Sequence, residues 1–129
     1  MRPRLGTVLL IDDQEADNYL HRRTIERSGE ATSIVVHDNG QAALDYLGAH
    51  DPPDLILLDL NMPGMTGWEF LEAHEQRWTE PRSVIVIVST SSNPADHERA
   101  RAHPSVAGFC AKPLTAQTLD KILTTHFVA

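Results

Sequence analysis

The sequence predicts an open α/β sandwich, a parallel sheet with helices on both faces. Three observations lead there. Short apolar runs recur at Val8–Ile11, Ile34–Val36, Leu55–Leu58, Val84–Val88 and Val106–Ala111. Most are rich in Val, Ile and Leu, bounded by turn residues and too short for helices, as strands buried on both faces are. Stretches with helical spacing separate them, and strict alternation of the two kinds gives right-handed βαβ units.

Taken in order, the first run leads into a helix marked by Ala16, Tyr19, Leu20 and Ile25, ending near Gly29. Asp13 stands where a capping residue of that helix belongs. Ala43, Leu44 and Leu47 mark the second helix. Phe70, Leu71, His74 and Trp78 mark the third, and Trp68 just before them reads as a packing residue. The fourth opens at Asn93-Pro94, an N-cap residue followed by proline at the first helical position. Its apolar content is mostly alanine (Ala95, Ala100, Ala102), so its grip on the sheet should be weak. The fifth carries a stripe of Leu119, Ile122, Leu123 and Phe127. With no internal repeat, low-complexity segment or linker, residues 1–129 read as one domain.

Composition narrows the function classes. Apolar residues make up 41% of the 129, enough for a core and too many for a disordered tail. The single cysteine, Cys110, lies in an apolar stretch and cannot form an internal disulfide, which fits a reducing compartment. No apolar stretch approaches the ~18 residues of a membrane span, and MRPRLGTVLLIDD lacks the long apolar region of a signal peptide. A soluble, cytoplasmic protein is expected. The formal net charge of −7 argues against a nucleic-acid backbone as direct partner and suits a metal cation or a basic patch on a protein. Seven histidines are scattered without metal-ligand spacing.

In open parallel sheets the active crevice lies beyond the carboxyl ends of the strands. Asp12 and Asp13 follow the first run, Asp59 the third, Ser89, Thr90 and Ser91 the fourth, and Lys112-Pro113 the fifth. Two like charges ~5 Å apart repel by about 3 kcal/mol at an effective dielectric near 20. Three acids therefore need raised pKa values or a cation, and Lys112 supplies only one charge. An all-oxygen set of ligands points to Mg²⁺. A carboxylate, a lysine, a hydroxyl and Mg²⁺ together make a phosphoryl-transfer site with Asp59 as nucleophile. Glu15 and Asp17 favour the first helix's N-terminus through its dipole.

VLLIDD, LILLDLNMPGMTG, VIVIVST and GFCAKP resemble the four sequence blocks of a response-regulator receiver domain of the CheY-like kind. The second has the D-x-x-M-P-x-x-x-G form at Asp59, Met62, Pro63 and Gly67, and the resemblance covers nearly the whole chain. It implies a flavodoxin-like three-layer sandwich of five parallel strands in the order 2-1-3-4-5 with five helices. It implies that Asp59 accepts a phosphoryl group from a histidine kinase or histidine phosphotransfer protein. Asp13 and Asp59 would ligate Mg²⁺, with the backbone carbonyl of Asn61 a further ligand and Asp12 acting mainly through water. Lys112 would pair with the phosphoryl group, and a cis peptide before Pro113 would be usual.

The resemblance also assigns a switch. The first hydroxyl after the fourth strand, Ser89, is preferred, given a one-residue insertion within Ala102–Ser105; the usual spacing back from Lys112 selects Thr90 instead. Phe109 matches the aromatic that changes rotamer, and the face made by the fourth helix, fifth strand and fifth helix would report the change to a protein target. No output domain is expected, and homodimerisation is left open. A haloacid-dehalogenase-type phosphatase is disfavoured because Asn61 stands where that chemistry needs a general acid. A receiver-like adaptor that is never phosphorylated would be expected to have lost an acid or the lysine. Dinucleotide binding fails for want of a Gly-rich turn after the first strand.

Overall fold

The computed structural model describes residues 3–80 and 82–127; the expected domain limits, residues 1 and 129, lie outside them. Five strands, β1 (Leu5–Ile11), β2 (Ala31–His37), β3 (Leu55–Leu58), β4 (Val84–Ser89) and β5 (Val106–Ala111), alternate with five helices. These are α1 (Glu15–Ser28), α2 (Gly40–Ala49), α3 (Gly67–Arg77), α4 (Pro94–Ala102) and α5 (Ala116–His126). All strand pairs are parallel, in the order β2-β1-β3-β4-β5. The architecture is the one the sequence implies.

The strand period of two divides the core. Leu9, Ile11, Ile56, Leu58, Ile85 and Ile87 pack with α2 and α3 residues such as Leu44, Leu47, Phe70 and Leu71. The alternate residues Val8, Leu10, Leu55, Leu57, Val86 and Val88 pack with Ile25 of α1 and Leu119, Ile122 and Leu123 of α5. All four β3 residues are therefore buried, which explains why LILL shows no polar alternation. Trp68 is buried in the first cluster, with the Arg99 guanidinium 4.5 Å from its ring centre and the His103 ring stacked at 5.7 Å.

One helix departs from expectation. Tyr19 and Leu20, read as core markers of α1, are 61% and 50% exposed. Ile25 is buried as expected, but its companions on the buried face of α1 are Asn18 and His21. These two are polar, so hydrophobic periodicity missed them and placed Tyr19 and Leu20 on the buried side in their stead. Helix α4 begins at Pro94 with the Asn93 side chain accepting the Ala95 N–H, and Ala100 is its one buried residue. Among the described residues, no helix is long and apolar enough to cross a membrane.

Candidate functional site at the carboxyl edge of the sheet

Backbone pairing carries the acids to the edge. The Asp12 amide donates to the His37 carbonyl (3.2 Å) and the Asp59 amide to the Ile11 carbonyl (2.9 Å), so both ladders run one residue beyond the apolar strands. Asp12, not Asp13, organises the turn into α1. Its Oδ1 accepts the Gln14 N–H (2.9 Å), and its carbonyl accepts from Asn18 Nδ2 (2.7 Å). The expected Asp13 cap is not formed; Gln14 holds the N-cap position without a side-chain bond. Asp13 Oδ1 is left buried with no hydrogen-bond partner.

Lys112 enters from β5. Its amide donates to the Ser89 carbonyl (2.9 Å), and the Lys112-Pro113 peptide is cis. Its Nζ lies 2.7 Å from Asp12 Oδ2, 2.8 Å from Asp17 Oδ2 and 3.1 Å from Asp59 Oδ1. Burial alone would depress the lysine; hydrogen bonds to Asp12 and Asp17 and the charge of Asp59 raise it above its ordinary value. Asp59 is pushed up to about 6, first by burial and then by the charge of Asp12, with Lys112 pulling the other way. One ammonium thus fails to neutralise the pocket.

The residual charge matches a divalent ion. Asp12, Asp13 and Asp59 each offer an oxygen, and these oxygens lie within 4.8 Å of one another. The unpartnered Asp13 Oδ1 supplies the free acceptor such an ion needs, and an all-carboxylate donor set suits a hard cation such as Mg²⁺.

Around this centre the other candidates occupy distinct places. Ser89 ends β4 fully buried, its Oγ accepting the Ser91 N–H (3.1 Å); Thr90 is exposed beyond the strand. A register shift sets which β5 residue Ser89 faces. Ile85 pairs with Val106 and Val86 with Gly108, so Ala107 is skipped and Ser89 comes to face Ala111 beside Lys112. Sequence spacing had located the extra residue in Ala102–Ser105; the irregularity the sheet displays is at Ala107, inside β5. Phe109 is half-buried, and the His97 ring of α4 packs over it at 3.9 Å between centres. Asn61 is exposed on the loop after Asp59.

That loop is held at both ends. Thr66 and Glu69 form a capping box at the start of α3, and Gly64 turns the chain with φ +80°. Gly67 donates its N–H to the Leu60 carbonyl (2.8 Å). A Cβ there would meet the Asp59 carbonyl oxygen at 2.5 Å and Leu60 Cα at 2.7 Å, both backbone atoms that cannot swing aside. Gly67→Ala should therefore lower stability by about 1–3 kcal/mol in thermal melts. Gly48→Ala in α2, where a Cβ meets nothing, is the reference; equal melting of the two variants would refute the steric account.

Sequence reasoning assigned Asp17 to the dipole of α1 and missed its bond to Lys112. His97 over Phe109 gave no sequence signal.

Residues 8–124 match the family described as the response regulator receiver domain. The probable methanogenesis regulatory protein FilR2 of Methanothrix harundinacea is 34% identical over 119 residues, covering 88% of this chain and 76% of that protein. The two-component response regulator ORR41 of Oryza sativa subsp. japonica is 31% identical over 130 residues, covering 100% of both. Other relatives are longer than the chain, which spans 53% of one and 13% of another. The crystal structure of a two-component response regulator from Cytophaga hutchinsonii superimposes with a TM-score of 0.87 at 31% identity, covering 94% of this chain and 96% of that one. With its fold, its acid cluster and these matches in agreement, the chain belongs to the response regulator receiver domain family, the phospho-acceptor module of two-component systems.

Proposed function

We propose that this receiver takes a phosphoryl group onto Asp59 from the phosphohistidine of a sensor kinase or histidine phosphotransfer protein. The observation that carries this reading is the placement of Asp59 at the end of β3, 3.1 Å from Lys112 and beside Asp12 and Asp13. In the transfer, an Asp59 oxygen bonds to phosphorus as the nitrogen–phosphorus bond breaks, and the imidazole leaves with its electron pair. Lys112 faces the charge that develops on the phosphoryl oxygens. Asp12, Asp13 and Asp59, with the Asn61 carbonyl, would hold Mg²⁺, which when bound offsets the negative charge that donor and acceptor bring together. The protein acts as a signalling acceptor and turns over no substrate other than its own acyl phosphate.

Ser89 is the switch hydroxyl in this reading, with Thr90 the alternative. Its bond from the Ser91 amide is exchanged for one to the phosphoryl group, drawing in the loop before α4. Phe109 then moves from beneath His97, and the face formed by α4, β5 and α5 changes for a protein target or a second copy of the chain. The thin anchoring of α4 through Ala100 makes that movement inexpensive. The signalling partners are proteins of the cytoplasm.

Incubation with Mg²⁺ and acetyl phosphate should add one phosphoryl mass to Asp59, stable in acid and labile in base. No label on the wild type, or equal labelling of Asp59→Asn, would falsify the reading.

A further inference from the structure

Lys112 carries three ammonium hydrogens and faces three carboxylates, one of which has no place in the proposed transfer. Asp17 lies in the first turn of α1 and is 30% exposed at its side chain, whereas Asp12 and Asp59 are each 5% exposed. Among the described residues it is not one of the acids whose oxygens converge closely enough to share a cation. Yet it holds the lysine at 2.8 Å, closer than Asp59 does at 3.1 Å. Its neighbour Glu15, an acid of the same first turn, is not among the Lys112 partners Asp12, Asp17 and Asp59.

Lys112 is therefore drawn two ways, toward α1 by Asp17 and toward the acceptor by Asp59. A phosphoryl group on Asp59 brings about two negative charges and three strong acceptor oxygens. To meet them the ammonium must lengthen or break one of its existing bonds. Asp12 is fixed by its own turn bonds and is buried, so its release would strand a charge. Asp17 borders water and can be rehydrated, so its bond is the one to yield.

We propose that Asp17 is a positioning residue that competes with the phosphoryl group for Lys112 and so sets how strongly the site holds it. The inference rests on the reading of Asp59 as phospho-acceptor and names a regulator of that same site. Asp17 weakens the phosphorylated state by retaining the lysine, and it steadies the unphosphorylated fold by tying α1 to the end of β5.

The probe is beryllofluoride, a non-covalent phosphoryl mimic, titrated at saturating Mg²⁺ and followed by ¹⁹F NMR. Asp17→Ala should bind it roughly fivefold to tenfold more tightly than wild type, the scale of one partly solvated charge-assisted hydrogen bond. The same variant should melt at a lower temperature than wild type without the mimic. Glu15→Ala removes an equal charge from the same helical turn and should change affinity by less than about twofold. Asp17→Glu, which restores an acid, should return affinity toward wild type.

A purely structural role would lower the melting temperature and leave affinity unchanged or weakened, which overturns the inference. Equal tightening in Glu15→Ala overturns it too, because general charge would then be the cause. Failure of the wild type itself to bind the mimic would instead defeat the phospho-acceptor reading, and this inference with it.

Discussion

Lys112→Ala is expected to slow phosphoryl uptake by Asp59 about 10²–10³-fold, the usual effect of deleting one preorganised charge from a transfer site. Among the described residues the lysine is the one cation paired with these acids: Asp12, Asp17 and Asp59 lie within 3.1 Å, and Asp13 in the adjoining cluster. Without it, an anionic donor meets uncompensated negative charge, and the transition state loses a donor to its oxygens. The measurement is single-turnover labelling with acetyl phosphate at 25 °C and saturating Mg²⁺, so that loss of fold is not read as loss of chemistry. A rate within threefold of wild type would refute the role.

The same substitution has a stability consequence of its own. Asp12 and Asp59 are 5% exposed at their side chains, so losing their cation leaves two buried carboxylates to repel each other. Breaking such a pair typically costs about 3–5 kcal/mol. Here protonation limits the loss, because an Asp59 already at about 6 is pushed higher and turns neutral near pH 7. The destabilisation of Lys112→Ala should therefore be larger at pH 8 than at pH 5 in chelator. A pH-independent difference would contradict this account.

How much of this was legible in the sequence follows from the range of each interaction. The alternation of strands and helices and the gathering of Asp12, Asp13, Asp59 and Lys112 followed from local patterns, because each polar residue directly follows an apolar run; the strand order came with the family resemblance. The face of α1 was not legible: Asn18 and His21 are buried for their position against the sheet edge, and polar residues are invisible to a hydrophobic period. Ser89 is buried at the end of β4 and Thr90 is exposed just beyond it, and the skipped Ala107 that sets Ser89 opposite Ala111 left no mark in the sequence. The bond of Asp17 to Lys112 joins residues 95 apart in sequence, where spacing carries no information. Local chemistry was readable; competition among groups converging from distant strands was not.

Asp59→Asn should stabilise the fold in the absence of divalent cations while abolishing phosphoryl uptake. The Asp59 carboxyl is raised from 3.8 to about 6, so the folded state holds its proton over a range where the unfolded chain has lost it. Stability attributable to this group is complete below about pH 4, falls as pH rises toward 6, and levels off above that. The loss is on the order of 2–3 kcal/mol at neutral pH, from about 1.4 kcal/mol per unit of pKa. Asparagine keeps the shape and carries no charge, so in chelator the advantage of Asp59→Asn should be smallest at pH 4.5, where about a third of the loss has accrued, and reach roughly 5–10 °C at pH 7.5. Mg²⁺ should raise the wild type at pH 7.5 and narrow the gap, because the ion offsets the charge the fold otherwise bears. The test is a set of thermal melts by circular dichroism between pH 4.5 and 7.5, with chelator and with Mg²⁺. An Asp59→Asn protein no more stable than wild type at pH 7.5 in chelator would show that Lys112 already neutralises the pocket. The case for a divalent ion from charge balance would then fall. If the gap opens with pH and closes with Mg²⁺, the acid that destabilises the resting fold is the one the ion and the phosphoryl group require.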